Sequence, residues 1–221
     1  MSKNESHNDL IEARRDYTAN TLRRADLNTS PLAQFTQWLE DARAAKLIDA
    51  TAMVVATADK SGQPHSRVVL LKQFDEAGFV WYTYQDSDKG QQIAENPQAS
   101  ILFYWRELER QVRIEGTVTK LDPTLADDYF YSRPEGSRFS AAASVQSQPV
   151  SKRKVLEDRV KELHREHTDG QVPRPAVWGG YRLMPVRFEF WQGRADRLHD
   201  RFIFTRNDAS VADWAITRLQ P

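Results

Sequence analysis

The chain has 221 residues, and its 31 lysines and arginines equal its 31 aspartates and glutamates, so the formal net charge is zero. A neutral chain gives no bulk electrostatic reason to bind nucleic acid or an anionic membrane surface, and this length suits one domain with a real core. The absence of cysteine excludes disulfides, thiolate metal sites and a cysteine nucleophile, and it is compatible with a reducing compartment.

The beginning of the chain is polar. Residues 1–18 lack the apolar stretch of a signal peptide, and the longest apolar runs, "AMVVA" and "VVLL", are too short to span a bilayer. We therefore expect a soluble, cytoplasmic protein that does not enter the membrane. We expect residues 1–18 to form a mobile segment, in which "DLIEARRDYT" is a possible short helix, and residues 19–221 to form a single domain.

The first half of the chain predicts a helix followed by a β-meander. Ser30 is placed as an N-cap with Pro31 at the first helical position, so the helix covers "SPLAQFTQWLEDARAAKL". Three β-branched and aromatic runs follow, separated by the turn sequences "KSGQP" and "DEAG": "TAMVVATAD", "HSRVVLLKQF" and "GFVWYTYQ". A short helix in "SDKGQQIAENP" then ends near Pro97.

The second half predicts a further hairpin, "QASILFYWREL" and "RQVRIEGTVTKL", and helices in "PTLADDYFYSR" and "SKRKVLEDRVKELHREH". Between these helices, "PEGSRFSAAASVQSQPVS" has little periodicity and is interpreted as loop with helical turns. The last strands are expected at residues 178–191, 197–205 and about 210–218. About eight strands with short connections favour an α+β, mainly β fold: a closed or split antiparallel barrel decorated with helices.

Four groups of cationic and hydroxyl side chains stand out in this neutral chain. Arg67 and Lys72 stand at the ends of "RVVLLK" and would share a ligand only if a bulge or strand end brought them together. "SDK" opens a helix, where a phosphate could bind, although ordinary capping explains Ser and Asp equally well. In "DDYFYSRPEGS", a phenol, a guanidinium and a hydroxyl recur every four residues, which suits a second phosphate or a capped helix end.

The fourth group is "RLHDR", where an extended chain from Arg197 onward would place Arg197, His199 and Arg201 on one face of a strand. Two phosphorylated small molecules would account for all four groups, because several charge-assisted hydrogen bonds hold such an anion firmly. The pair His164 and His167 is interpreted as part of a solvated helix face, so no metal site is predicted.

The chain resembles the pyridoxamine 5′-phosphate oxidase family of FMN-dependent enzymes. The resemblance runs from about residue 14 to the C-terminus and rests on motifs that occur in the family's order: "RRDYT", "RRADL", "TAMVVAT", "RVVLLK", "LERQVRIEG", "YFYSRP", "SVQS", "WGGYRL", "EFWQG" and "RLHDRF". It implies a split antiparallel β-barrel that binds FMN and forms a homodimer, with the flavin at the subunit interface. The implied reaction oxidises pyridoxamine or pyridoxine 5′-phosphate to pyridoxal 5′-phosphate by hydride transfer to FMN, with dioxygen as acceptor and hydrogen peroxide as product.

The resemblance also assigns residues. The residues implied to contact FMN are Arg67, Val69, Leu70, Lys72, Tyr82, Thr83, Lys89, Gln111, Gln146, Ser147, Trp191 and Arg201. The residues implied to bind the substrate are Arg14, Tyr17, Lys72, Tyr129, Arg133, Ser137, Arg197 and His199. Arg197, His199 and Asp49 are implied to lie at the reacting end of the substrate.

The sequence departs from the family at "SDK", where the family commonly has "SRK", so Asp88 is left out of the predicted site. "SRFSAAAS" also lacks the Gly and Trp that the family often has in that segment. Three other readings remain open: a flavin enzyme with a different substrate, a non-catalytic carrier or sensor of flavin or pyridoxal phosphate, and a protein that binds nucleic acid through its basic clusters.

Overall fold

The computed structural model describes residues 15–206 and 213–221, and an antiparallel sheet is their central feature. Its order is β2-β1-β5-β6-β7-β4-β3, with β8 paired to β7 and β9 paired to β8. The strands are β1 Ala52–Ala58, β2 Pro64–Leu70, β3 Gln73–Asp75, β4 Gly78–Tyr84, β5 Gln98–Trp105, β6 Arg110–Lys120, β7 Trp178–Gln192, β8 Asp200–Thr205 and β9 Ala215–Leu219.

The sheet divides at β7, its longest strand. Residues 181–192 of β7, apart from a bulge, pair with β6. Residues 178–183 of the same strand pair with β4, while residues 187–192 pair with β8. Because a strand has only two edges, β4 and β8 share the edge opposite β6. This arrangement confirms the predicted split antiparallel barrel.

Gly116 marks the bulge between β6 and β7, where the register shifts between Glu115 and Gly116. A Cβ atom at Gly116 would lie 2.0 Å from the backbone oxygen of Met184. Only glycine allows the two backbones to approach this closely, so the bend of the sheet depends on this residue.

Five α-helices accompany the sheet in the described ranges: α1 Pro31–Ala44, α2 Asp88–Glu95, α3 Pro123–Ser132, α4 Glu135–Ala143 and α5 Arg153–Glu166. Helix α1 buries Phe35, whose ring centroid lies 5.0 Å from those of Phe79 and Phe103. Its N-cap is Ser30, as predicted, and the Ser30 hydroxyl accepts a hydrogen bond from Ala33 N. Helices α3, α4 and α5 form a second apolar cluster around Phe130, Phe139 and Trp178.

One prediction of local structure was wrong. Strand β8 begins at Asp200, because residues 195–197 form a 3₁₀ turn in which Asp196 and Arg197 have φ of 54° and 63°. The alternation expected for Arg197, His199 and Arg201 therefore does not apply. The stretch after Pro134, interpreted as loop with helical turns, contains the nine-residue helix α4, whose small residues gave a weak periodic signal.

The remaining elements lie near their predicted positions. Within the described residues the sheet has nine strands rather than about eight, because β3 is a separate short strand. The last strand is Ala215–Leu219, and residues 210–212 of its predicted range lie outside the described residues. Most of "DLIEARRDYT" also lies outside them.

Candidate active site

An open cavity of about 1330 Å³ lies against one end of β2 and β4 and is bordered by α2, α3 and α4. It brings together most of the residues that the sequence predicted to bind a cofactor or a phosphate. Those that line it are Arg67, Val69, Leu70, Lys72, Tyr82, Thr83, Lys89, Tyr129, Arg133, Ser137, Gln146 and Ser147. Lys72 reaches the same cavity as Arg67 because β2 ends at Leu70.

Lys89 lies in the first turn of α2 and is only 8% exposed. Its ammonium donates hydrogen bonds to Thr83 Oγ1 at 2.9 Å, Ser87 Oγ at 3.1 Å and Gln146 Oε1 at 2.6 Å. Burial and the nearby Arg67 together lower the pKa of Lys89 to about 8. A buried ammonium surrounded by neutral oxygens favours a bound anion.

Arg67 is held against the sheet by neutral groups. Its Nη1 donates to Thr57 Oγ1 at 2.7 Å and to the Val55 oxygen at 3.1 Å, and its Nη2 donates to Gln92 Oε1 at 3.1 Å. Burial lowers the pKa of the Arg67 guanidinium, although an arginine at this position stays protonated. Arg67 and Lys89, called the Arg67/Lys89 pair below, thus give one end of the cavity two fixed cations.

Three stacked aromatic rings form a wall of the cavity. The Tyr82 and Tyr129 centroids lie 4.0 Å apart, and the Tyr82 ring is within 8° of parallel to Trp178. Gly180 is paired with Tyr82 across β4 and β7, and a Cβ atom there would lie 3.0 Å from the Tyr82 ring. Gly180 of "WGGY" therefore makes room for this wall.

Lys72 and Arg133 flank the aromatic wall. The Lys72 Nζ lies 5.9 Å from the Tyr129 centroid, and the Arg133 guanidinium carbon lies 5.0 Å from the Trp178 centroid. Arg133 Nη1 is buried and has no hydrogen-bond partner in the described parts of the chain. A buried guanidinium nitrogen without an acceptor is costly, so this atom indicates where an anionic oxygen would bind.

A second set of predicted residues lies on another part of the sheet. The antiparallel register places Gln111 opposite Trp191, and Trp191 opposite Arg201, so that the three side chains form a row across β6, β7 and β8. They border a cavity of about 220 Å³ that shares no lining residue with the larger one. Arg201 is oriented by buried Glu189, to which its Nε donates at 2.9 Å.

His199 and Arg197 adjoin this row through aromatic contacts. The His199 ring lies 4.6 Å from Trp191 and 5.4 Å from Tyr17, while the Arg197 guanidinium lies 5.9 Å from the Tyr17 ring. Tyr17 fits against Gly193, where a Cβ atom would come within 2.7 Å of its ring. The predicted residues of this region are called the Trp191 cluster below: Gln111, Trp191, Arg197, His199 and Arg201.

The imidazole of His199 has a defined hydrogen-bonding state. Its Nδ1 accepts a hydrogen bond from the backbone N–H of Arg194 at 3.1 Å. Burial, followed by the charge of Arg197, lowers the pKa of His199. Both features favour the neutral imidazole with its proton on Nε2.

One described residue of the predicted site joins neither set. Asp49 is exposed in the turn before β1, where its φ of 53° helps to reverse the chain, and it lines neither cavity. Arg14 lies outside the described residues. The sequence analysis missed Trp178, Gln92 and Glu189, which support the predicted residues. Helix and strand periodicity place such side chains on a face but do not reveal which residues they contact.

The described residues contain no group of three metal-ligating side chains and no helix long and apolar enough to cross a membrane. His164 instead stacks on Phe139, with ring centroids 3.7 Å apart.

Residues 39–166 match the family model described as pyridoxamine 5′-phosphate oxidase, which spans more than half of the chain. The chain belongs to this family. Residues 178–221 match a second model, the pyridoxine 5′-phosphate oxidase C-terminal dimerisation region. This second match includes β7, β8 and β9, and therefore most of the Trp191 cluster.

Named relatives cover nearly the whole chain. A pyridoxine/pyridoxamine 5′-phosphate oxidase of Trichormus variabilis is 49% identical over 96% of this chain and 98% of that protein. Pyridoxine/pyridoxamine 5′-phosphate oxidase 1 of Hydrogenovibrio crunogenus is 50% identical over the same shares. These matches support an oxidase of pyridoxine or pyridoxamine phosphate.

Two solved structures have similar folds. PhzG from Burkholderia lata, in complex with tetrahydrophenazine-1-carboxylic acid, superposes with a TM-score of 0.84 at 32% identity, over 91% of this chain and 98% of PhzG. A pyridoxamine 5′-phosphate oxidase-related, FMN-binding protein from Nostoc punctiforme gives a TM-score of 0.68 at 18% identity, over 88% of this chain and all of that one. The second likeness supports the split-barrel fold alone.

Proposed function

We propose that this chain is an FMN-dependent oxidase that converts pyridoxamine or pyridoxine 5′-phosphate to pyridoxal 5′-phosphate, with dioxygen as the electron acceptor. For the amine, one water and one dioxygen are consumed, and ammonia and hydrogen peroxide are released. The single observation that carries the substrate assignment is buried Arg133 Nη1, which has no acceptor among the described residues although it borders a large cavity.

The residues of the larger cavity suit two phosphorylated ligands. The Arg67/Lys89 pair offers two cations at one end, and Lys72 and Arg133 offer two more beside the aromatic wall. Ser137 lines the cavity beside Arg133 and adds a hydroxyl donor. We assign the Arg67/Lys89 pair to the FMN phosphate, and Lys72, Tyr129, Arg133 and Ser137 to the substrate phosphate.

The Trp191 cluster completes the site from the partner subunit of a homodimer. The two cavities are separate within one chain, and the cluster lies in the region that matches a dimerisation model. Val68 and Leu70 are exposed apolar side chains at the edge of the larger cavity, as expected for a surface that a second subunit covers. Gln111, Trp191 and Arg201 would then contact the flavin.

The side chains orient the reactants, and the flavin supplies hydride acceptance and the reaction with dioxygen when it is bound. The guanidinium of Arg197 suits an electron-rich ring. Neutral His199 would offer its Nε2–H to a substrate oxygen, because Arg194 N–H already occupies Nδ1. Holding the reacting carbon against the flavin accounts for most of what the protein contributes.

Turnover with defined products tests the proposal. The purified protein, supplied with FMN and oxygen, should form pyridoxal 5′-phosphate and hydrogen peroxide in equal amounts from pyridoxamine or pyridoxine 5′-phosphate. The dephosphorylated substrates should react poorly, because Arg133 would then lack its acceptor. Bound flavin with no turnover of either phosphate would overturn the oxidase assignment.

A second candidate is oxidation of a phenazine precursor, which the structural likeness to PhzG favours. It requires a bulky tricyclic substrate with a carboxylate and no phosphate. Comparing tetrahydrophenazine-1-carboxylic acid with pyridoxamine 5′-phosphate in the same assay separates the two. We favour the phosphate ester because four cations line one cavity.

A further inference from the structure

Asp88 introduces a negative charge into the cationic end of the cavity. It is the first residue of α2 and lines the cavity together with Arg67, Lys89 and Ser147. Its backbone N–H donates to Ser147 Oγ at 3.2 Å, which ties this residue to a loop that also borders the cavity. Asp88 is exposed, so its carboxylate remains in contact with solvent.

No hydrogen bond or ion pair within residues 15–206 and 213–221 engages the Asp88 carboxylate. Lys89 directs its ammonium to three neutral oxygens, and Arg67 directs its guanidinium to neutral groups of the sheet. The negative charge nevertheless acts on both cations through space, since it raises the pKa of each against the effect of burial. Asp88 thus offsets part of the positive charge that a phosphate would meet.

We infer that Asp88 is a selectivity residue that weakens the grip of the Arg67/Lys89 pair on a dianionic phosphate. FMN is then held as an exchangeable cofactor. Its binding affinity exceeds that of riboflavin, the flavin without a phosphate, by a smaller factor than the two cations alone would give. The inference rests on the proposed binding of FMN at this end of the cavity.

A purely structural role for Asp88 makes a different prediction. An acidic residue in the first turn stabilises a helix through its dipole, so removing the charge would lower thermal stability. That role leaves the ratio of FMN affinity to riboflavin affinity unchanged, because both flavins meet the same helix. The ratio therefore separates electrostatic selection from support of the helix.

The test measures dissociation constants of FMN and riboflavin by quenching of flavin fluorescence on the cofactor-free, full-length protein. Asp88→Asn should tighten FMN by about tenfold and change riboflavin by less than about twofold. Asp88→Arg should tighten FMN further. Glu95→Gln removes the same charge from the exposed end of the same helix, outside the cavity, and should leave both constants unchanged.

Each outcome decides a separate point. If all proteins bind FMN and the affinity ratio is the same in wild type, Asp88→Asn and Asp88→Arg, the inference is wrong while the proposed function stands. Weaker FMN binding in Asp88→Asn would also overturn it. If neither wild type nor any variant binds a flavin, both the inference and the proposed function fail.

Discussion

Arg133 holds an unsatisfied hydrogen-bond donor at the wall of the cavity, which makes it the sharpest target for substitution. Arg133→Gln should raise KM for pyridoxamine 5′-phosphate by about 10- to 100-fold, because a charge-assisted hydrogen bond contributes roughly 1.5–3 kcal/mol. Steady-state kinetics measure this change.

Arg153→Gln is the matched control for that variant, since Arg153 is an exposed residue of α5 that lines neither cavity. It should leave kcat and KM unchanged. An Arg133→Gln enzyme with wild-type KM would place the substrate phosphate elsewhere.

The lowered pKa of Lys89 predicts a dependence of flavin binding on pH. Because this pKa is about 8 in the folded protein without ligand, the ammonium loses its proton as the pH rises through 8. FMN affinity should therefore fall above pH 8, approaching about a tenfold loss per pH unit. Titrations of FMN between pH 7 and 9.5 measure this slope.

Two comparisons check that Lys89 causes the fall of FMN affinity above pH 8. Lys89→Met should bind FMN weakly and lose this pH dependence. The affinity for riboflavin should change little with pH in either protein.

The titration of Lys89 affects the stability of the ligand-free protein in the opposite direction from FMN affinity. Between the folded pKa of about 8 and the unfolded value of 10.5, the unfolded chain binds more protons than the folded chain. The free energy of unfolding should therefore rise with pH in that window through this group.

Residue types and spacing identified the cationic, phenol and hydroxyl groups of the cavity, because strand ends and helix starts are readable from sequence. The resemblance alone supplied the other predicted residues that line it, which are Val69, Leu70, Tyr82, Thr83, Gln146 and Ser147. Spacing did not reveal which side chains hold the cations in place. Gln92 and Glu189 are distant in sequence from the arginines they contact, and only strand pairing and helix packing bring them together. Asp49 was selected by resemblance alone, and it lines neither cavity.

At the scale of elements, the bulge between β6 and β7 is expected to be sensitive to a single methyl group. Gly116→Ala should destabilise the protein by about 1–3 kcal/mol, because the added Cβ would meet backbone rather than a movable side chain. For a chain of this size the melting temperature should fall by roughly 2–10 °C, which calorimetry measures.

Gly136→Ala provides the comparison, since a Cβ there meets nothing within 4 Å and the residue lies in α4. It should be neutral or stabilising by up to about 1 kcal/mol. Equal melting temperatures for the two variants would show that the backbones of β6 and β7 can separate at low cost.

The strands and their order of appearance followed from periodicity, and their pairing in an antiparallel barrel followed from short connections. The start of β8 was predicted at Arg197 instead of Asp200, and this error has a physical cause. "RLHDR" satisfies strand alternation, but its first residues form a turn with positive φ at non-glycine residues, which no pattern of polar and apolar residues signals. Tyr17, which is distant in sequence, contacts Arg197 and His199 at that turn.

At the scale of the whole molecule, a site shared between two subunits makes a quantitative prediction. Assayed at a substrate concentration below the wild-type KM, homodimers of Arg133→Gln and of Arg197→Met should both be nearly inactive. Mixed dimers place both substitutions in one site and leave the other site wild type, so a random mixture should recover about a quarter of wild-type activity. Coexpression of two differently tagged chains and assay of the purified mixture measure the recovery. Activity no greater than that of the separate homodimers would place the complete site within one chain.

The measurement that tests the central claim most directly is an absorbance spectrum of the FMN-loaded protein, recorded without oxygen before and after pyridoxamine 5′-phosphate is added. We predict that the flavin band bleaches, and that air restores it as hydrogen peroxide and pyridoxal 5′-phosphate appear. A bound flavin whose band stays unchanged by the phosphorylated amine or alcohol would contradict the account.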